Sequence, residues 1–119
     1  MYQERTYRSL IEADDLVTSR VCAGESDLFI LTNQDVTQPG RGFLLEVRND
    51  LESYISRDPT FLTSRVAHSP LRNAPWIVIR MAEVSSYYNI GPMAAVAGAV
   101  ADCVGQQLMK SQTDVIIEN

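Results

Sequence analysis

The sequence predicts an α+β fold, a mostly antiparallel sheet packed with two long helices, and three observations carry that expectation. Short β-rich runs occupy both ends of the chain. Two long segments repeat apolar residues at three- and four-residue intervals. The order strands, helix, strand, helix, strand lacks the regular alternation of a doubly wound sheet.

Taken in order, Tyr2 to Arg8 mixes aromatic, Thr and charged residues without a helical stripe. Leu16 to Ala23 alternates Val17, Ser19, Val21 and Ala23 as a half-buried strand does. The two are expected to pair around the acidic turn Glu12-Ala13-Asp14-Asp15. Asp27 to Thr32 is a second apolar strand, closed by Asn33-Gln34-Asp35. Pro39-Gly40-Arg41-Gly42 is expected to break the chain ahead of an amphipathic helix carrying Leu44, Val47, Leu51 and Ile55, which Asp58-Pro59 stops. Phe61 to Asn73 reads as a loop with one short strand. Trp76 to Ala82, dense in β-branched residues, reads as a strand. A second helix is expected from near Gly91, with Pro92 at its first position, to about Lys110. Asp114 to Asn119 is the closing strand.

A chain of 119 residues, 45% hydrophobic and 21% charged, is sized and composed for a single globular domain. Ten basic residues against fifteen acidic ones, without a basic cluster, argue against nucleic acid as a partner. The opening residues lack the apolar run of a secretory signal, which points to the cytoplasm. Ile90 to Met109 is the sole membrane candidate, and Asp102, Gln106 and Gln107 make it a buried Ala-rich helix instead. Cys22 and Cys103 have no metal or redox spacing and are expected reduced and unbridged.

The unusual segment is Gly91 to Gly105. On a helix Ala94, Gly98, Ala101 and Gly105 form a smooth face, and Met93, Val96, Val100 and Val104 a bulky one. Glycine inside a helix costs about 1 kcal/mol relative to alanine, so close approach to that backbone is expected. A neighbouring element is the plainer occupant. An anionic ligand at the helix start is the sharper one, with Tyr87 and Tyr88 placed to stack on a flat ring. Asp102 reads as a ligand or as a hydrogen-bonded surface residue. His68, the one histidine, reads as a solvated loop residue or as an acid–base group.

The run Gly91-Pro92-Met93-Ala94-Ala95-Val96-Ala97-Gly98-Ala99-Val100-Ala101, with Val115-Ile116-Ile117-Glu118-Asn119 at the end, resembles a little-characterised prokaryotic branch of the ApbE-like superfamily. Glu25-Ser26-Asp27-Leu28, Pro59-Thr60-Phe61 and Ala74-Pro75 support the likeness. The resemblance implies an ApbE-like, T-fold-like unit in which residues 1–119 are the N-terminal half of a larger two-half structure. It implies binding of a flavin (FAD or FMN) or another nucleotide, with magnesium, by an enzyme of the flavin-transferase kind. The implied site is Gly91, Pro92, Met93, Ala94, Ala95, Gly98, Asp102, Tyr88 and Asn119. Gly98 and Asp102 match the second half of the transferase motif, Ala97 stands at its lysine, and Asn89 lies near its leading aspartate. The alternative is a non-catalytic subunit or scaffold docking a partner protein, and the branch's context implies anaerobic sulfur assimilation into homocysteine. A homo-oligomer, or pairing with a second chain along the terminal strand, follows from the family's greater length.

Overall fold

The computed structural model describes residues 16–119. Its elements are β1 (Val17–Ala23), β2 (Ser26–Thr32), α1 (Thr37–Arg57), the short α2 (Thr60–Thr63), α3 (Trp76–Ser86), a 3-10 turn (Pro92–Ala95), α4 (Val96–Leu108) and β3 (Val115–Glu118). The α+β expectation holds, with an antiparallel sheet in the order β1-β2-β3. The strand expected at Tyr2 to Arg8 and the turn at Glu12 to Asp15 lie outside the described residues. Of the described residues, 16–45 and 101–119 belong to one compact unit and 46–100 to a second.

The first unit is built on the β1–β2 hairpin. Ala23 pairs with Ser26, and Gly24 in the tight turn between them has φ 55°, a conformation that side chains with a Cβ resist. Ser19 and Val21 of β1 and Leu28, Ile30 and Thr32 of β2 are buried, two residues apart, as a one-faced sheet requires. On the other face Arg20 lies over its cross-strand neighbour Phe29, 5.1 Å from the ring centre. β3 pairs antiparallel with β2, Thr32 opposite Val115 and Phe29 opposite Glu118. Its entry is fixed by Asn33, whose Oδ1 accepts from the Thr113 hydroxyl at 2.8 Å and the Asp114 N–H at 3.2 Å.

The start of α1 differs from the expectation. Pro39, Gly40 and Gly42 lie inside the helix, which begins at Thr37. Asp35 explains this, because its Oδ1 accepts the Thr37 N–H at 2.8 Å, while the buried Ser19 hydroxyl accepts the Val36 N–H at 3.0 Å. Proline in a first helical turn forfeits no helical bond. A Cβ on Gly40 would stand 3.1 Å from Ile30 Cδ1, so the missing side chain lets this turn close on the sheet.

In the second unit, Trp76 to Ala82 is helical, not the expected strand. As a strand it would put Arg80 on one face with Val78, and Glu83 on the other with Ile77 and Met81. As a helix it buries Ile77, Val78, Met81 and Ser85 along one stripe and leaves Arg80 and Glu83 outside. The β-branched penalty of a few tenths of a kcal/mol per residue is smaller than that burial gain. Pro75, extended at ψ 160°, precedes the first turn, and the buried Ser85 hydroxyl donates to the Met81 carbonyl at 2.7 Å. The loop expected at 61–73 begins as α2 and then contains no strand.

Gly91 is the tightest point of this unit. Its backbone is extended (φ −64°, ψ 147°), open to any residue, yet a Cβ there would overlap the Ser64 carbonyl oxygen and lie 2.8 Å from its carbon. Gly98 is the opposite case, exposed and with nothing among the described residues within 4 Å of where a Cβ would stand. Close backbone approach therefore belongs to Gly91 and not to Gly98. Among the described residues, no helix is long and apolar enough to cross a membrane.

These two glycines give opposite predictions. Gly91→Ala lowers stability by about 3 kcal/mol in urea denaturation, because Ser64 backbone cannot yield as a side-chain tip can. Gly98→Ala raises it by about 1 kcal/mol through helix propensity.

Candidate functional site

The residues expected to form a ligand site are divided between the two units. Tyr88, Gly91, Pro92, Met93, Ala94, Ala95 and Gly98 belong to the second, Asp102 and Asn119 to the first. Within the second unit, Pro92 opens the 3-10 turn and is buried with Gly91. Ala94 and Gly98 are exposed, and Met93 and Ala95 are half-buried. The smooth face thus divides, since Ala101 and Gly105 are buried and Ala94 and Gly98 are not. Asn89 has a local role instead: it takes φ 48° at the turn after α3, and its Oδ1 accepts the Ala67 N–H at 3.2 Å. Tyr87 and Tyr88 just before it are 87% and 73% exposed.

A different constellation is assembled around Asp58. The buried positions of α1 run Gly40, Leu44, Val47, Leu51, Tyr54 and end on Asp58 just past the helix, at steps of three and four residues. Tyr54, rather than the expected Ile55, holds that stripe. The Tyr54 hydroxyl donates to Asp58 Oδ2 at 2.6 Å and accepts the Leu71 N–H at 2.8 Å. His68 Nε2 lies 2.9 and 3.1 Å from the two Asp58 oxygens. The Phe61 ring meets Tyr54 and His68 edge-on, at 5.3 and 6.2 Å between centres. His68 is therefore held against a carboxylate, not simply solvated.

The electrostatics follow from these contacts. The Tyr54 hydroxyl, and after it His68, holds the Asp58 carboxyl below its ordinary pKa against the opposing effect of burial. Burial, with the bond to Asp58, pushes the Tyr54 phenol up. In the first unit, Arg20 forms two hydrogen bonds to Asp27 at 2.8 and 2.9 Å and, with Cys22, lowers that carboxyl to about 2. The Cys22 thiol, donating to Asp27 at 3.2 Å, is pushed up, which keeps it protonated and unreactive. Neither Cys22 nor Cys103 is bridged. Among the described residues, no group of three or more His, Cys, Asp or Glu side chains is placed to hold a metal ion.

Sequence reasoning missed Asp58, treating it as a helix stop. The available signal was a carboxylate continuing an apolar stripe, a position that burial penalises unless a partner waits there. Because the folded pKa of Asp58 is lowered, its contribution is complete above the unfolded value of about 4 and is lost as pH falls through the folded one. Tyr54→Phe should cost about 1 kcal/mol near neutral pH and flatten the acid limb of a stability-against-pH curve.

A family model described as AbpE bacteria matches residues 8–119. A UPF0280 protein of Methanothrix thermoacetophila is 34% identical over 92 residues, covering 76% of this chain and 39% of its own. A UPF0280 protein of Methanopyrus kandleri is 31% identical over 106 residues, 87% of this chain and 42% of its own, and one of Methanococcus vannielii is 32% identical over 107 residues, 88% and 43%. The chain thus spans about two-fifths of the length of the curated relatives it matches. These matches correct the expected membership of the ApbE-like flavin-transferase superfamily: neither the matched family nor the relatives carry that name, and Ala97 stands where a transferase would have its lysine. By the family match over residues 8–119, this chain belongs to the AbpE bacteria family.

Proposed function

We propose that the second unit is a docking surface for protein, and that its occupant is the part of the family's fold that this chain does not match. The carrying observation is the distribution of exposed large apolar side chains. Among the described residues, Leu62, Val66, Leu71, Trp76, Ile79, Tyr87, Tyr88 and Ile90 belong to the second unit, against Val17, Phe29 and Leu45 in the first. Trp76 and Ile79 of α3, with Tyr87 just past its end, follow one outward stripe opposite the buried Ile77, Val78, Met81 and Ser85. Aromatic residues of this kind anchor protein interfaces, and so dense an exposed apolar set marks a surface built to be covered.

The relatives' greater length supports that occupant, with this chain as one half of a two-half unit, its counterpart supplied in cis, by a second copy or by another chain. The role is that of a non-catalytic docking subunit, in the cytoplasm, where unbridged cysteines are at home. A second reading, a flavin or nucleotide at Tyr88 and Gly91 to Ala95, is favoured by the exposed tyrosines beside the Pro92 turn.

Hydrogen exchange tests the docking reading. Over matched residues, the segment from Trp76 to Ile90 should exchange at least about tenfold more slowly in the full-length Methanococcus vannielii relative than in this chain, with β2 alike in both. Equal rates at Trp76 to Ile90 contradict it. Thermal unfolding with FAD, FMN and ATP tests the second reading: a saturable rise of about 2.7 kcal/mol at a hundredfold excess over the dissociation constant supports it, and an unmoved midpoint removes it.

A further inference from the structure

The geometry points to a strap, residues 65–73, that opens locally from the second unit as one piece, latched by Tyr54 and Asp58 and carrying part of the exposed apolar set with it. The opening itself does not rest on the docking reading.

The first observation is how little holds this segment down. None of residues 64–75 is buried, in contrast to Phe61 before them and Ile77 and Val78 after them. Among the described residues, no backbone group from 65 to 74 bonds to the backbone of another element. Burial and backbone ladders raise the opening free energy of a segment toward that of global unfolding, and this segment has neither. Release also returns conformational entropy to its backbone.

The second observation is that its remaining ties to the unit are few and run to side chains outside it. Asn89 Oδ1, at the turn after α3, accepts the Ala67 N–H at 3.2 Å. Asp58 meets His68 Nε2 at 2.9 and 3.1 Å, and the Tyr54 hydroxyl accepts the Leu71 N–H at 2.8 Å. Tyr54 and Asp58 are themselves joined at 2.6 Å, so the last two ties share one support. Only His68-Ser69-Pro70 separates Ala67 from Leu71, and the fixed φ of Pro70 stiffens that stretch, so the loss of one tie is felt at the other.

The third observation is that both ends are anchored. The Ser64 N–H donates to the Thr60 carbonyl at 2.9 Å, and the Ser64 carbonyl abuts Gly91. At the far end Asn73 takes φ 58°, a left-handed bend just ahead of Ala74-Pro75 and α3. Movement is thereby confined between Ser64 and Pro75. Val66 and Leu71, 54% and 46% exposed, ride on the strap, while Trp76 and Ile79 stay on α3. The apolar set of the second unit thus has a fixed part and a movable part.

The test is native-state amide exchange by NMR on the full chain, unaltered and in two variants. Tyr54→Phe keeps the ring, and Asn89→Gly alters an exposed position whose φ of 48° glycine adopts freely. In the unaltered chain Ala67 and Leu71 should exchange at least about a hundredfold faster than Leu51 and Met81 of the core. Each variant should also speed the amide whose own acceptor it leaves untouched, Ala67 in Tyr54→Phe and Leu71 in Asn89→Gly, by at least about threefold. An amide that responds only to the loss of its own acceptor, or rates at Ala67 and Leu71 as slow as those of the core, overturns the inference.

Discussion

Asp58 is a carboxylate taken out of water at the end of a long apolar stripe, and the segment that follows it is arranged around the cost of keeping it there. An unpaired buried carboxylate would neutralise or unfold its surroundings. Here a hydroxyl from the same helix and an imidazole from ten residues on meet both oxygens. Those contacts bring the 64–73 loop to α1, and the Tyr54 hydroxyl then accepts a backbone N–H from the loop's far side. One burial penalty thus determines where His68, Leu71 and their exposed neighbours lie. Gly91 completes the arrangement by letting its chain pass against Ser64, where any side chain would collide.

Much of the fold was legible in the sequence. Two-residue alternation located β1, a short apolar run closed by turn residues located β2, three- and four-residue periodicity located the body of α1, and Pro92 located the start of the last helical segment. The failures share a cause. Trp76 to Ala82 satisfied a local preference for strand, while its burial pattern and the position of Arg80 required a helix. Pro39 and Gly40 looked like a break because the residues that override them, Asp35 and Ser19, act through bonds that composition does not reveal.

The candidate site was legible only in part. Close approach was expected along the face of Ala94, Gly98, Ala101 and Gly105, whereas the glycine that admits it is Gly91, against backbone at Ser64. Gly98 was grouped with Gly105 by spacing, and spacing cannot distinguish a face that packs from one that faces water. Tyr54, Asp58 and His68 are four and ten residues apart, and no local pattern joins a helix end to a loop histidine. What sequence could have offered was narrower: a carboxylate on a buried stripe needs a partner.

Taken together, the second unit has an inner side closed by the Asp58 contacts and an outer set of aromatic and aliphatic side chains left in water. Relatives with more than twice the matched length have protein available to cover them. The most direct measurement of this claim is the solvent-accessible area, in a solved structure of a full-length relative such as that of Methanopyrus kandleri, of the residues matching Trp76, Tyr87, Tyr88 and Ile90. Those positions should be almost wholly buried against the part of the protein that this chain does not match. If they remain as exposed as they are here, the docking account is wrong.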